Sequence, residues 1–233
     1  MKTGSAVRRW RLQWAIGWVL LVLAGLAPAQ DAAGPRSFAA SDPRTVLVMG
    51  DSLSAAYNMP AAQGWVALTA ERLAAQRPGW KVVNASISGE TTAGGATRIV
   101  DAVVRHRPSV VVIQLGANDA LRGLPLRQAR RNLARMIGAA QGIGAQVLLV
   151  GMQIPPNYGA AYATEFERGY RELAQRFDTA LLPFLLQPIA TERDNFQADN
   201  LHPVAGAQPA IRDHVWPALA PLLRSQTTTR RDQ

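Results

Sequence analysis

The sequence contains no cysteine among its 233 residues. Disulfide bonds are therefore excluded, and the folded chain must be held together by its core alone. Apolar material for such a core is plentiful, since hydrophobic residues make up 48% of the sequence and charged residues 18%. This length and composition predict one globular domain with a sizeable core.

Lysine is almost absent, although the formal net charge is +9. It occurs only at Lys2 and Lys81, so arginine supplies most of the basic excess. Aromatic residues do not interleave with the one group of neighbouring arginines, whose spacing is typical of a solvated helix face: Arg127, Arg130, Arg131 and Arg135. The sequence therefore argues against a nucleic-acid partner.

The apolar run near the N-terminus, Trp14–Leu26, is shorter than the ~20 residues that a membrane-spanning helix needs. Basic residues precede it and Ala27-Pro28-Ala29 follows it, which is the three-part pattern of a secretory signal peptide. We predict a signal peptide over residues 1–29, cleaved near Ala29, and a periplasmic or secreted protein without stable membrane insertion. The alternative is an uncleaved membrane anchor.

Apolar strand-like runs alternate with amphipathic stretches along the rest of the chain. Residues 30–43 are predicted to form a linker, 44–224 the folded domain and 225–233 a polar tail, with no internal repeat. The near-continuous apolar strands predict an α/β fold whose parallel sheet is covered on both faces. The predicted strands are Thr45–Met49, Trp80–Asn84, Ser109–Leu115, Gln146–Gly151 and Ala180–Pro183. The predicted helices are Gly64–Gln76, Thr92–Arg107, Leu126–Gln141, Tyr162–Phe177 and Pro209–Leu223.

Three polar or glycine residues follow successive predicted strands. Ser52 comes after the first strand, Gly89 after the second and Asn118 after the third. Parallel strands bring their carboxyl ends to one edge of the sheet, where such folds bind ligands. A serine nucleophile needs rigid donors aimed at the developing oxyanion. The N–H groups of Ser52 and Gly89 and the Asn118 amide are candidates for that oxyanion hole.

Asp199 and His202 are the candidate orienting acid and general base for Ser52. Their three-residue separation allows the carboxylate to accept from one ring nitrogen while the other ring nitrogen faces the serine. Pro203 disfavours a helical conformation at His202, which keeps the histidine in a loop. The alternative is that the pair only caps the last helix, because aspartate is a good N-cap.

The other histidines and acidic residues near these motifs are weaker candidates for a catalytic role. His106 falls at a helix C-terminus, which favours a surface role, and His214 falls on the last helix, where packing or exposure is expected. Asp51 and Asp119 are expected to support the site by hydrogen bonds, and Glu90 to be a polar loop residue. No cluster has metal-ligand spacing, so we predict neither a metal nor another cofactor.

Four motifs, taken in order, resemble those of the GDSL, or SGNH, hydrolases: Gly50–Ser54, Gly89, Gly116–Asp119 and Asp199–His202. Other segments are similar to the bacterial periplasmic thioesterase I/protease I/lysophospholipase (arylesterase) group: Val83–Gly89, Asn118–Leu124, Ile154–Gly159, Leu181–Phe184 and Ala207–Pro209. The resemblance spans about residues 45–223. It implies a flavodoxin-like three-layer α/β/α fold with a five-stranded parallel sheet. It also implies no metal, hydrolysis of acyl esters and thioesters, and the roles given above to Ser52, His202, Asp199, Gly89 and Asn118.

Apolar residues on the predicted loops after the third and fourth strands are candidates for an acyl-chain groove: Leu121, Leu124, Ile154, Pro155 and Tyr158. The alternative is that some of them cap the core. In the resembled group, the segment matching 119–124 is a mobile loop. We expect a monomer acting on a small acyl ester or thioester, with activity rising through about pH 6–7 as a histidine base deprotonates. Two rival functions are a carbohydrate or peptidoglycan O-acetylesterase and a non-catalytic lipid-binding module.

Overall fold

A five-stranded, fully parallel sheet forms the centre of the molecule, with strand order β2-β1-β3-β4-β5. The computed structural model describes residues 44–223. The predicted signal peptide, linker and tail lie outside the described residues. The strands are β1 (Thr45–Gly50), β2 (Lys81–Asn84), β3 (Val110–Gln114), β4 (Gln146–Val150) and β5 (Ala180–Leu182). The predicted five-stranded parallel sheet is confirmed.

Helices cover the sheet on both faces. They are α1 (Trp65–Gln76), α2 (Thr92–His106), α3 (Ala117–Leu121), α4 (Leu126–Gln141), α5 (Ala160–Phe177) and α6 (Gln208–Leu219). Helix α1 packs against α6, whereas α2, α4 and α5 form a second packed group. The result is the expected three-layer α/β/α arrangement.

The apolar side chains of the central strands form the middle of the hydrophobic core. Every residue of β1 and β3 is buried, whereas the edge strand β2 is partly exposed. Leu47, Ile113 and Leu148, on three adjacent strands, are fully shielded from solvent. This continuous burial explains why these strands lack the alternation of a one-sided sheet.

The strand order reverses direction around β1. Strand β1 has β2 on one side and β3 on the other, and the chain then continues outward to β4 and β5. Ligands in doubly wound sheets bind at such a reversal, beyond the carboxyl ends of the strands. Ser52 and Asn118 follow the two strands that meet there.

Some helices begin or end at residues other than those predicted from the sequence. Helix α6 ends at Leu219 and a 3-10 turn over Ala220–Leu222 replaces its predicted last turn, because Pro221 has no N–H for a helical hydrogen bond. Residues 117–121, predicted as loop, form the short helix α3 after a turn at Gly116, whose φ of 124° suits glycine. Within residues 44–223, no helix has the length and apolarity to cross a membrane.

Candidate active site

Ser52 lies in a tight turn directly after β1. The Asp51 carboxylate accepts the Leu53 N–H at 3.0 Å, and the Asp51 carbonyl accepts the Ala55 N–H at 2.9 Å. Gly50 is required before this turn, since a Cβ there would lie 2.7 Å from the Ser54 side chain. Ser54 in turn donates to Gln114 at 2.6 Å, which ties the turn to β3. The local sequence therefore fixes the Ser52 backbone against the sheet.

Asp199 and His202 lie on a small hairpin formed by residues 195–204, hereafter the base hairpin. A bridge between Phe196 and Pro203 and a 2.9 Å bond from the Val204 N–H to the Asn195 carbonyl close it. The Asp199 Oδ1 atom accepts the N–H groups of Leu201 at 2.9 Å and His202 at 3.0 Å. The carboxylate is thus held by the same turn that carries the histidine.

The structure brings Ser52, His202 and Asp199 into one hydrogen-bonded chain. His202 Nδ1 lies 2.7 Å from Asp199 Oδ2, and His202 Nε2 lies 2.8 Å from Ser52 Oγ. A carboxylate only accepts, so Nδ1 carries the hydrogen, and in the neutral ring Nε2 is left to accept from the serine hydroxyl. Helix α6 begins only at Gln208 and has no side-chain cap, so the alternative capping role for Asp199 is wrong.

The three candidate oxyanion donors line one cavity with Ser52 Oγ. Gly89 has φ 78° in a turn closed by the 3.1 Å bond from the Glu90 N–H to the Ile87 carbonyl, a conformation that favours glycine. Within residues 44–223, the N–H groups of Ser52 and Gly89 donate to no protein acceptor. Both therefore remain available to a ligand in the cavity.

Asn118 is the second residue of α3, and its amide is fixed from two sides. Its Nδ2 donates to the Glu90 carbonyl at 3.1 Å and lies 3.5 Å from Asp51 Oδ2. Arg122, one helical turn later, donates to the Gly89 carbonyl at 2.9 Å and approaches Asn118 Oδ1 at 3.5 Å. Asn118 is therefore coupled to the loop that carries Gly89.

Glu90 is not the simple polar loop residue that the sequence suggested. Its side chain is only 8% exposed and forms an ion pair with Arg98 on α2, with Arg98 Nε 2.8 Å from Glu90 Oε1. Gly94 makes room for it, since a Cβ there would lie 2.9 Å from Glu90 Oε1. This pair anchors the Gly89 loop to α2.

The pKa values of two carboxyl groups at the site are shifted in opposite directions. Burial raises the pKa of Asp51 to about 6, against the hydrogen bond from the Leu53 N–H, which lowers it. Partial burial would also raise the pKa of Asp199, but hydrogen bonds from the His202 N–H and ring and from the Leu201 N–H lower it to about 2. Asp199 is consequently a carboxylate throughout the neutral range.

Asp119 is hydrogen-bonded to Thr92, the first residue of α2. Its two carboxylate oxygens accept the Thr92 N–H at 2.8 Å and the Thr92 hydroxyl at 2.6 Å. It therefore supports the start of α2 by hydrogen bonds. No group of three or more His, Asp or Glu side chains within residues 44–223 is arranged to hold a metal ion.

A cavity of about 500 Å³ opens beside Ser52. Leu121, Ile154 and Pro155 line it, as the sequence suggested. The sequence analysis does not assign most of its apolar wall to the site: Leu53, Tyr57, Met152, Phe184, Leu186 and Phe196. The mixture of one polar corner and an apolar wall is typical of a small-molecule site.

Leu124 and Tyr158, two predicted acyl-chain contacts, lie outside this cavity. The Tyr158 hydroxyl donates to the Leu121 carbonyl at 3.2 Å, and the Leu124 carbonyl accepts from Tyr162 at 3.3 Å. They brace the segment after α3 instead. His106 ends α2, and His214 donates to the Phe184 carbonyl at 3.0 Å, so neither joins the site.

Comparison with known proteins identifies this arrangement. Residues 48–208, which run from β1 to the start of α6, match the model of the GDSL-like lipase/acylhydrolase family. The chain belongs to this family. The matched region contains every residue assigned above to the site, and the GDSL-like fold explains why they meet at the β1–β3 reversal.

Named relatives of this GDSL-like hydrolase act on esters. Esterase TesA of Pseudomonas aeruginosa is 48% identical over 77% of this chain and 90% of its own length. An arylesterase of Vibrio mimicus is 40% identical over 73% of this chain and 85% of its own length. Thioesterase 1/protease 1/lysophospholipase L1 of Escherichia coli K12 is 37% identical over 80% of this chain and 88% of its own length.

Solved structures of esterases superpose on this chain over most of their length. The crystal structure of TesA superposes with a TM-score of 0.74 and covers 76% of this chain and 99% of its own. Esterase EstA from Pseudoalteromonas, 37% identical, also gives 0.74 and covers 77% of this chain and 98% of its own. This GDSL-like hydrolase is therefore an ester-hydrolysing enzyme.

Proposed function

We propose that the protein hydrolyses acyl esters and thioesters through a Ser52–His202–Asp199 triad and a covalent acyl-enzyme. The observation that carries this proposal is the continuous hydrogen-bonded chain from Ser52 Oγ to His202 Nε2, at 2.8 Å, and from His202 Nδ1 to Asp199 Oδ2, at 2.7 Å. Nucleophile, base and orienting acid within such distances are the signature of an activated serine.

In the first step, Ser52 Oγ forms a bond to the acyl carbon as His202 Nε2 takes the hydroxyl proton. The carbonyl electron pair moves onto the oxygen, where the N–H groups of Ser52 and Gly89 and the Asn118 amide stabilise it. The C–O or C–S bond then breaks, and His202 gives its proton to the departing alcohol or thiol. The acyl group is left on Ser52.

Water completes the cycle by the same route. His202 takes a proton from water as the water oxygen attacks the acyl carbon. The bond between Ser52 Oγ and the acyl carbon then breaks, His202 returns the proton to Oγ, and the carboxylic acid leaves. Asp199 accepts from Nδ1 throughout, which keeps the ring in the required tautomer and stabilises the imidazolium. Its low pKa, about 2, supports this role because the carboxylate stays charged whenever His202 works.

The substrate class follows from the cavity. A cavity of about 500 Å³ whose lining is mostly apolar accommodates an acyl chain far better than a sugar ring rich in hydroxyl groups. We infer a preference for medium or long acyl chains. Buried apolar surface stabilises binding by about 25 cal/mol per Å², so each added methylene should help until the wall is filled.

A fluorophosphonate probe tests the nucleophile. Wild type should be labelled at Ser52, and Ser52→Ala should show neither labelling nor ester hydrolysis. Ser88→Ala is a matched control, because Ser88 lines the same cavity but makes no hydrogen bond to a histidine among residues 44–223. Labelling of Ser52→Ala at an undiminished rate would contradict the assignment, and an unlabelled, inactive wild type would favour a lipid-binding module.

A panel of esters and thioesters with acyl chains from acetyl to long-chain tests the substrate. We expect kcat/KM to rise with chain length through the medium range. Equal turnover of acetyl and longer esters would instead favour the O-acetylesterase alternative.

Export of the protein is proposed on the sequence pattern of residues 1–29 alone, namely a basic start, an apolar run and Ala27-Pro28-Ala29. The proposed location is the periplasm or the exterior of the cell, after cleavage near Ala29.

A further inference from the structure

Ser52 and His202 are 150 residues apart in the chain, yet their side chains meet at 2.8 Å. Ser52 belongs to residues 51–58, hereafter the nucleophile turn, whereas His202 belongs to the base hairpin. The two segments come from opposite ends of the domain. Some contact must set the distance between them, because a proton transfer between serine and histidine depends on that distance.

Gln197 joins the two segments with its side chain. Its Nε2 donates to the Tyr57 carbonyl at 3.1 Å and to the Pro203 carbonyl at 3.1 Å. Its Oε1 accepts from Asn58 Nδ2 at 3.1 Å. The single side-chain amide of Gln197 is therefore hydrogen-bonded both to the end of the nucleophile turn and to the residue after His202.

The backbone of Gln197 also holds the hairpin itself. Its N–H donates to the His202 carbonyl at 2.8 Å, and its carbonyl accepts the Asn200 N–H at 3.0 Å. His202 is thus bonded to Gln197 directly through the main chain. A shift of Gln197 would carry the imidazole with it.

Within residues 44–223, the bonds from Gln197 to Tyr57 and Asn58 are the only hydrogen bonds between the nucleophile turn and the base hairpin apart from the Ser52–His202 bond. The Tyr57 ring adds a packing contact, with its centroid 4.3 Å from that of His202. Gln197 does not line the cavity, so it has no direct route to substrate affinity.

We propose that Gln197 is a positioning residue that sets the Ser52–His202 distance. The inference rests on the proposed triad. Removal of its two donors releases the hairpin from the nucleophile turn and lengthens the serine–histidine contact. Small misplacements of reacting groups cost up to about 10²-fold in rate. Most of the apolar wall stays in place, because it comes from segments outside the turn and the hairpin: Leu121, Met152, Ile154, Phe184 and Leu186. The expected signature is a lower kcat at unchanged KM.

The test compares Gln197→Glu with wild type on a medium-chain ester. Glutamate keeps the size of glutamine and one acceptor for Asn58 but cannot donate to the two carbonyls in its ionised form. The concentration of competent sites is measured by fluorophosphonate titration, so that kcat is expressed per titrated site. We expect that value to fall on the order of 10-fold to 10²-fold with KM within about two-fold of wild type.

Gln175→Glu is the matched control, because Gln175 is exposed on α5 and makes no side-chain hydrogen bond within residues 44–223. It should retain the wild-type kcat. A merely structural role for Gln197 would lower the fraction of titratable sites and leave kcat per site unchanged. A per-site kcat within about two-fold of wild type in Gln197→Glu would overturn the proposal.

Asn58→Asp keeps the proposal testable if Gln197→Glu does not fold. Asn58 has φ 55°, which aspartate tolerates as well as asparagine, and the new carboxylate opposes Gln197 Oε1. A several-fold loss of kcat per site is expected, and a wild-type value would overturn the proposal. Inactivity of wild type itself would instead refute the proposed function, and the positioning role would fall with it.

Discussion

At the scale of single residues, the pKa values of two aspartates in the site are shifted in opposite directions. Asp51 precedes the serine Ser52, and Asp199 lies three residues before the histidine His202. Asp199 is solvated and receives several hydrogen bonds, so its pKa is about 2, whereas burial raises the pKa of Asp51 to about 6. The first is suited to stabilising a positive charge on His202. The second is a structural group whose ionisation opposes folding.

Asp199→Asn should abolish most activity without unfolding the protein. The asparagine oxygen can still accept the Leu201 and His202 N–H groups, so its amide nitrogen would face His202 Nδ1. Nδ1 must then accept, which moves the ring hydrogen to Nε2 and prevents that nitrogen from taking the Ser52 proton. We expect kcat to fall on the order of 10³–10⁴-fold. Steady-state kinetics and a melting curve measured together check this, and near-normal kcat would contradict the orienting role.

Asp51→Asn should change the pH dependence of stability. An acid whose pKa is raised by folding keeps its proton in the native state at pH values where the unfolded chain has lost it, so stability falls as pH rises from about 4 to about 6. The loss amounts to ~3 kcal/mol if the full shift applies. The asparagine variant lacks this loss, and its stability relative to wild type should rise over that window in urea unfolding.

Asp213→Asn serves as the control of opposite sign. A hydrogen bond from Arg212 lowers the pKa of Asp213, so the wild type loses this contribution as pH falls rather than as it rises. Matching pH trends for Asp51→Asn and Asp213→Asn would show that burial of Asp51 has no influence on stability.

At the scale of elements, glycines in helices α2 and α4 provide a direct comparison. A Cβ at Gly94 would press on Glu90, whose carbonyl holds the Asn118 amide, whereas a Cβ at Gly138 would meet no atom within 4 Å. Gly138→Ala should stabilise the protein by about 0.5–1 kcal/mol without changing kcat, because alanine loses less backbone entropy in a helix. Gly94→Ala should lower kcat, because the Glu90 side chain must shift out of its ion pair with Arg98, which anchors the Gly89 loop.

Urea unfolding and ester kinetics on the two variants decide this prediction. If Gly94→Ala gains stability like Gly138→Ala and keeps full activity, then the Glu90–Arg98 ion pair has no role in holding the oxyanion donors.

The elements differ in how well their sequence reveals them. The sequence predicts the buried strands and long helices because their apolar runs and amphipathic periods persist over many residues, and it places Ser52 shortly after β1. Helix α3 was missed because five residues are too few to show a period. The apolar wall was largely missed as well, since Met152, Phe184 and Phe196 come together only through the path of the folded chain.

At the scale of the whole molecule, one sheet edge collects the site. The β1–β3 reversal supplies Ser52 and Asn118, the β2 end supplies Gly89, and a hairpin just before the last helix supplies His202. With no cysteine in the chain, packing of α1 against α6 and of α2 against α4 must hold these segments in place. The site is thus only as rigid as the core below it.

The N-terminal segment gives the last prediction for the whole chain. Its apolar run is followed by Ala27-Pro28-Ala29, and signal peptidases accept small residues at the first and third positions before the cut. When the full chain is produced in a bacterium with a periplasm, the exported protein should therefore begin at Gln30. Mass spectrometry of the purified protein measures this directly.

Enlarging the residue at position 29 tests the mechanism of that cleavage. Ala29→Leu should block processing and leave residues 1–29 attached, so that the protein stays with the membrane fraction, whereas Ala32→Leu should be processed like wild type. Both variants keep the domain that begins at residue 44 unchanged, so their esterase activity reports folding independently of location. A wild-type protein recovered from the membrane with its N-terminus intact would support the anchor instead, because only an uncleaved apolar run can hold the enzyme there.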